Sequence, residues 1–381
     1  MKRNLVKKRQ NWQEKFDEIG FTFHSMGGGY WTEGVCYQFS SAEIDLIEQV
    51  TADLHELCLE AVEYATTRKL YAQLGIPPQF AELIKISWRR QEPSLYGRFD
   101  FLFGPDGDLK LLEYNADTPT SLIESSVAQW LWLEELFPTY DQFNSIHEKL
   151  LTAFSLLKEA MPAGAPFYFT CVKDSEEDLM TVEYLRDVAL QAGLEARHIY
   201  VEDIGFNELD GLFYDLAEQQ IEFMFKLYPW EWMLADSFGE KLLLDTISLV
   251  EPPWKMILSS KGLLPLLWQM SPGHPHLLAS YFDPHKLNGS YVKKPIFSRE
   301  GANITLYRNA NPIFQTSGEY GEEGFVYQEL LEAPAFDGHY PVIGSWIIDG
   351  VPAGLGIRED DTPITTDKSR FVPHYFEPES P

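Results

Sequence analysis

The sequence predicts an α+β protein, and three observations carry that reading. Apolar residues recur at three- and four-residue intervals over residues 41–69, the period of an amphipathic helix. The pattern changes to period two over residues 95–115, interrupted by Gly104-Pro105-Asp106-Gly107, as a β-hairpin requires. A strand, capped helix and strand succession then occupies residues 166–201, and the last third alternates short apolar runs with Gly- and Pro-rich turns.

Taken in order, Leu46, Ile47, Val50, Leu54, Leu57, Val62 and Tyr64 line the first long helix, with Ser41 as its expected N-cap. In the hairpin, Asp106-Gly107 favours a two-residue type I′ turn. With Pro105 facing Asp108, Asp100 lies opposite Glu113 and Arg98 opposite Asn115 on one face. Phe99 then faces Tyr114, and Phe101 faces Leu112, on the other. A helix over residues 122–137 follows, with Trp130 and Trp132 as an aromatic stripe. Residues 166–172 read as a strand, Ser175 caps a helix with Asp178 three residues on, Gly193 is its C-terminal stop, and residues 196–201 return as a strand. Such a βαβ unit implies a parallel sheet, with residues 221–227 as a further strand. Beyond Glu251, strands at residues 290–296, 304–307, 324–330, 340–348 and 353–358 make an antiparallel unit.

At 381 residues the chain accommodates two or three structural units. A hydrophobic content of 45% with 14% aromatics excludes a disordered chain. The net charge of -28 would repel a phosphate backbone or an anionic bilayer, so neither nucleic acid nor membrane is an expected partner. The basic cluster Lys2, Arg3, Lys7, Lys8 and Arg9 reads as a solvated terminal arm. No signal-peptide apolar region follows it, and no run is long enough to span a bilayer. Cys36, Cys58 and Cys171 lack metal-ligand spacing and are odd in number, which fits reduced thiols and a cytoplasmic location.

The hairpin carries the first chemical signal. Directly opposed carboxylates repel by about several tenths of a kcal/mol, so Asp100 and Glu113 need a compensating partner. Two carboxylates and the Asn115 amide are hard oxygen ligands of the kind Mg²⁺ accepts beside water and phosphate. Arg98 next to them suits a transferring phosphoryl group or an oxyanion. A solvated sheet face with Arg98 bridged to Asp100 or Glu113 is the alternative. Downstream, Lys293 and Lys294 point to opposite faces of one strand, ahead of a glycine-containing loop, Ser298-Arg299-Glu300-Gly301.

The segments Tyr96-Gly97-Arg98-Phe99-Asp100 and Leu112-Glu113-Tyr114-Asn115-Ala116-Asp117-Thr118-Pro119-Thr120-Ser121 resemble the synthetase domain of glutathionylspermidine synthase. So do Lys261-Gly262-Leu263-Leu264-Pro265, Val292-Lys293-Lys294-Pro295, Ser298-Arg299-Glu300-Gly301-Ala302-Asn303, Val326-Tyr327-Gln328-Glu329 and Gly356-Ile357-Arg358, in the same order. The nearest likeness is to the stand-alone acid–amine ligases related to that domain. The resemblance implies a circularly permuted ATP-grasp fold with a Rossmann-like preATP-grasp βαβ domain. Residues 1–150 would hold the N-terminal part of the ATP-grasp body, 151–250 the preATP-grasp substrate domain, and 251–381 the nucleotide-binding part and lid. It implies ATP and two Mg²⁺ ions as cofactors, and a peptide-like acid and an amine as small-molecule substrates.

Residue by residue, the resemblance implies metal ligation by Asp100, Glu113 and Asn115, and transition-state stabilisation by Arg98. ATP would be held by Arg98, Phe99, Asp100, Lys261, Lys294, Arg299, Gly301, Gln328 and Arg358, and the substrates by Thr118, Thr120, Glu176, Glu177 and Glu231. Several of these have plainer readings. Thr118 and Thr120 suit a turn and an N-cap, Glu176 and Glu177 suit the first turn of a helix, Glu231 an exposed acid on an aromatic core, and Gln328 an edge-strand polar residue. Arg370 stands where bifunctional members carry an acid, which implies repulsion of a polyamine. Gly27-Gly28-Gly29 lacks the spacing of a phosphate-binding loop, and His274 with His276 lacks a third ligand. The expectation is an acid–amine ligase. Glutathionylspermidine synthase proper, and a nucleotide-binding sensor that has lost ligation, are the alternatives.

Overall fold

A computed structural model describes residues 1–104 and 107–378. Its centre is a five-stranded antiparallel sheet in the spatial order Arg370–Val372, Val351–Asp360, Tyr340–Ile348, Tyr96–Phe103, Leu109–Asn115. The hairpin from the first third of the chain thus pairs with strands from its end, Gly344 facing Asp100 and Trp346 facing Arg98. The helix Ser41–Arg68 packs on the apolar face of this sheet through Ile47, Val50, Leu54, Ala61 and Val62. Phe99, Phe101 and Tyr114 meet it in the same core; Phe99 stacks on Tyr114 with centroids 3.9 Å apart, contact worth about 0.5–1.5 kcal/mol beyond burial.

A second five-stranded antiparallel sheet runs in the order Ser280–Tyr281, Phe325–Glu329, Tyr291–Pro295, Thr305–Arg308, Asn311–Gln315. The two sheets wall a cleft between them. A four-stranded parallel sheet, Ser248–Val250, Phe223–Lys226, Pro166–Cys171, Glu195–Tyr200, contains the expected βαβ unit. Its crossover helix Glu176–Gln191 is capped by Ser175, whose side chain accepts from the Asp178 N–H, and Gly193 follows it at positive φ. All three cysteines are free and buried. No helix among the described residues is long and apolar enough to cross a membrane.

Several local expectations are corrected. Ser40, not Ser41, caps the first long helix, because only Ser40 completes a reciprocal capping box with Glu43. Trp132 is fully buried while Trp130 is exposed; residues two apart on a helix do not share a face, and a π-helical turn, Glu124–Ala128, precedes them. The basic N-terminal cluster is not a solvated arm. Lys2–Leu5 pairs with Val35–Phe39, Arg3 is bridged to Glu359 at 2.7 Å, and the buried Arg9 to Glu33 at 2.7 Å. Acids distant in sequence neutralise what looked like free charge.

The hairpin register holds for Arg98–Asn115, Phe99–Tyr114 and Asp100–Glu113 but then slips: Phe101 faces Leu111, and Leu112 is the extra residue of a β-bulge. Toward the tip Gly104 hydrogen-bonds to Asp108, N to O at 2.7 Å. The type I′ turn at Asp106-Gly107 involves Pro105 and Asp106, outside the described residues.

Candidate active site

The polar face of the hairpin is where residues from several segments converge. Asp100, 2% exposed, would repel Glu113 across the strands, and four cations answer both. Arg98 forks onto Asp100, Nε to Oδ1 at 2.8 Å and Nη2 to Oδ2 at 3.3 Å. Arg358 donates to the same Oδ2 from two strands away, across Tyr340–Ile348. Lys261 lies 3.1 Å from Glu113, and Asn115 Nδ2 sits 3.1 Å from Asp100 and 3.4 Å from Glu113. The Arg98–Asp100 bridge considered for a solvated face therefore exists, but it is buried and belongs to a larger cluster. Gly344 makes it possible: a Cβ there would stand 2.7 Å from Arg98 Cδ.

The β-bulge has a consequence for the fourth cation. The carbonyls of Leu111 and Leu112, at the slip in register, accept from Gln328 Nε2 at 3.0 Å and Lys294 Nζ at 2.9 Å. Gln328 Oε1 also accepts from Lys294 at 2.7 Å, so the pair is locked. Lys293 instead lies over the Phe325 ring, as strand alternation requires. Burial lowers the Lys294 ammonium to about 8, with Glu113 opposing and Lys261 adding to the shift. Burial alone would raise the Glu113 carboxyl, but Lys261, Lys294 and Arg358 outweigh it and hold it well below the ordinary carboxylate range. Four cations around two carboxylates leave a positive centre on a chain of net charge -28, which suits a polyanionic ligand.

Two clefts meet at this centre. One, of about 980 Å³, is bipolar: Lys261, Lys294 and Arg358 line one end, and Leu278, Val292, Leu306 and Ile364 belong to its apolar lining. Gly301 sits on its wall at φ +67°, and a Cβ there would lie 2.3 Å from the Thr365 carbonyl oxygen. The other, of about 900 Å³, is polar, with Arg98, Asn115, Thr118, Thr120, Glu177 and Arg299 in its walls. Glu113, Ser298, Glu300 and Arg358 line both. Thr118 Oγ1 accepts from Arg299 Nη1 at 2.7 Å, and Arg299 Nη2 donates to Glu231 at 3.0 Å. Glu231 lies in a smaller pocket just beyond.

Three expected residues are not brought here. The Phe99 ring is fully buried in the aromatic core, on the opposite face from Asp100, so its side chain offers nothing to a nucleotide. Glu176 is exposed and accepts from Thr22 Oγ1 at 2.7 Å, whereas Glu177, one residue on, turns into the polar cleft. Arg370 lines neither cleft; it is bridged to Asp361 at 2.6 Å and Glu359 at 3.7 Å, so its repulsion of a polyamine falls away.

Sequence reasoning missed two buried groups that hold the site in place. Asp117 accepts from Lys226 Nζ at 2.6 Å and from the Trp230 N–H at 2.8 Å, tying the segment after Asn115 to the parallel sheet and to the helix bearing Glu231. A lysine ending the apolar strand Phe223–Lys226 was the available signal. Glu124, in the π-helical turn, accepts from Tyr30 at 2.6 Å, and burial, with Glu177 nearby, raises its carboxyl to about 8.

Among the described residues no group of three or more His, Cys, Asp or Glu is arranged around a metal. What converges is two carboxylates and one amide, whose Nδ2 donates to both; a half-turn of the amide would present Oδ1 beside the carboxylates instead. That donor set fits Mg²⁺ completed by water and phosphate oxygens.

The comparisons with known proteins agree with this geometry. A family model described as "Glutathionylspermidine synthase preATP-grasp" matches residues 3–377. A Haemophilus influenzae protein named "Putative acid--amine ligase" is 44% identical over 94% of this chain and 95% of its own length. Trypanothione synthetase of Crithidia fasciculata is 29% identical over 78% of this chain; the match spans 49% of that longer protein. Among solved structures, a glutathione synthetase-like effector from Globodera pallida superposes with a TM-score of 0.54 over 90% of this chain and 89% of its own at 12% identity, a likeness of fold alone. The relatives are named as ligases, and on the match of residues 3–377 together with the 44% identity, this chain belongs to the glutathionylspermidine synthase preATP-grasp family.

Proposed function

We propose that this protein is an ATP- and Mg²⁺-dependent carboxylate–amine ligase of permuted ATP-grasp fold. It forms an amide bond between a peptide-like acid and an amine through an acyl phosphate. The observation that carries this reading is the meeting of a bipolar cleft and a polar cleft at Glu113 and Arg358, with Arg98, Lys261 and Lys294 gathered at the seam. A nucleotide matches the first cleft end for end, apolar base toward Leu278 and Val292, phosphates toward the lysines. In this reading residues 1–150 and 251–381 supply the nucleotide site and 151–250 the substrate domain.

The acid occupies the polar cleft, where its carboxylate oxygen attacks the γ-phosphorus. The bond from that phosphorus to the bridging oxygen breaks, and ADP leaves. Arg98 and Arg358 donate to the phosphoryl oxygens as charge shifts, in a site that already holds them rigid. Lys261 and Lys294 hold the phosphates. Asp100, Glu113 and Asn115 would hold Mg²⁺, which supplies charge neutralisation of the polyphosphate. The amine nitrogen then attacks the acyl carbon, the C–O bond to phosphate breaks, and the amine proton departs to a neighbouring base, leaving amide, ADP and phosphate.

The test is ADP release in the presence of panels of acids and amines. Release that requires Mg²⁺, an acid and an amine together supports the ligase. Nucleotide binding without acid-dependent turnover would replace it with the sensor, and efficient use of glutathione plus spermidine would narrow it to glutathionylspermidine synthase proper.

A further inference from the structure

Beyond the Arg299–Glu231 pair lies a third, smaller cavity, open at one rim and walled by Ile76, Pro77, Trp230, Leu234, Met256 and Phe297. It connects to the reaction centre through a small polar neck. Glu231, Ser259 and Phe297 line both cavity and neck, while Ser298 lines the neck and both clefts, Asn115 the neck and the polar cleft, and Lys261 the neck and the bipolar cleft. At this junction three buried polar atoms lack a partner: Arg299 Nε, Ser298 Oγ and Trp230 Nε1. Arg299 uses Nη1 on Thr118 and Nη2 on Glu231, so its Nε–H is a buried donor awaiting an acceptor. Such groups are costly unless water or a ligand completes them.

We propose that this junction binds the amine substrate and that the substrate is an α-amino acid with an apolar side chain. The inference rests on the ligase reading above. Each third of such a molecule has a partner. Its carboxylate accepts from Arg299, the geometry in which guanidinium is most selective. Its ammonium pairs with Glu231, released from Arg299 as the carboxylate arrives. Its side chain enters the cavity against Trp230, Met256 and Phe297, which are already buried there. Because the carboxylate is held by Arg299, the amino group is left as the nucleophile. The ammonium first passes one proton to Glu231, which frees the nitrogen lone pair. The neutral amine then bonds to the acyl carbon, the C–O bond to phosphate breaks, and the second nitrogen proton leaves with the departing phosphate. A polyamine, lacking both carboxylate and branched apolar group, would leave the Arg299 Nε–H and the cavity unfilled.

Three ligands dissect this: leucine, glycine, which lacks the side chain, and isopentylamine, which lacks the carboxylate. Calorimetric titration of the full chain, with and without a magnesium-loaded non-hydrolysable ATP analogue, should show leucine binding at least tenfold tighter than either. Leu234→Phe in the cavity wall, or Ala235→Phe at the exposed rim, should each weaken leucine at least tenfold and leave glycine unchanged. The two are independent in case one fails to fold. Equal binding of leucine and glycine, equal binding of leucine and isopentylamine, or no binding of leucine overturns the assignment. Acid-dependent ADP release with spermidine but not leucine would overturn it while leaving the ligase intact. No acid-dependent release with any amine would instead remove the ligase reading.

Discussion

Removing Lys226 should destabilise the protein by about 3–5 kcal/mol, the cost of leaving a buried charge without its partner. Lys226 and Asp117 have side chains 0% and 2% exposed and stand 2.6 Å apart. In Lys226→Met, the Asp117 carboxylate retains only the Trp230 N–H as a donor. At about 2.1 cal/mol/K per residue, unfolding of the 381 residues carries an entropy of about 0.8 kcal/mol/K, so Tm should fall by about 4–6 °C. The double variant Asp117→Asn/Lys226→Met removes both charges while keeping an acceptor for Trp230, and should recover more than half of the loss. Differential scanning calorimetry of the four proteins closes the cycle. A single-variant loss below about 1 kcal/mol, the worth of an exposed pair, or a double variant worse than the sum of the singles, would refute the view that an uncompensated buried carboxylate causes the effect.

The remaining expectations concern the reaction centre and pH. Asp100→Asn or Glu113→Gln should lower Mg²⁺-dependent ATP turnover steeply, about 10²-fold or more, because each removes a charged oxygen ligand; full activity in either would remove the metal site. Arg98→Ala should keep ATP affinity within a few-fold and reduce turnover by about 10²-fold, and an effect confined to affinity would assign Arg98 to ground-state binding. Gly301→Ala should weaken nucleotide binding through a clash with the Thr365 carbonyl at 2.3 Å, added to about 1–2 kcal/mol of left-handed backbone strain; wild-type binding would show that the loop is not part of the cleft wall. For Glu124 the folded carboxyl is raised to about 8 from an ordinary 4.5, so the unfolded chain sheds that proton first. Wild-type stability is therefore lost as pH rises from about 4.5 toward 8. Glu124→Gln cannot ionise and should gain on the wild type across that window, by up to a few kcal/mol; denaturation curves that stay parallel from pH 5 to 8 would contradict it.

Much of the fold was legible because it is written in backbone periodicity. The alternation around Asp100 placed that carboxylate opposite Glu113 and Arg98 beside Asn115, and the capping signal at Ser175 located a βαβ unit, since both depend only on residues a few positions apart. The resemblance, carried by blocks in order, brought the distant Lys261, Lys294, Gln328 and Arg358 into the same candidate site. Phe99 shows the limit of position-by-position transfer: its neighbours face the cleft, but strand alternation turns its ring into the core. Glu176 and Glu177 show the same at a helix start, where one residue of rotation separates an exposed acid from one in the polar cleft.

By itself, then, the sequence determined the α+β class, the hairpin register at its chemical end and the residue types able to hold phosphate and Mg²⁺. Local sterics and side-chain alternation leave few other solutions at that range. Only the tertiary structure decided which charges cancel. Lys226 finds Asp117 from 109 residues away, Arg3 finds Glu359, and Arg98 with Arg358 closes on Asp100 across three adjacent strands. The bulge at Leu112, invisible to period-two counting, offers two carbonyls to Gln328 and Lys294 and so fixes the Lys294 side chain at the cleft. Electrostatic partnership follows distance in space, and desolvation makes it decisive, whereas separation along the chain carries almost no information about either.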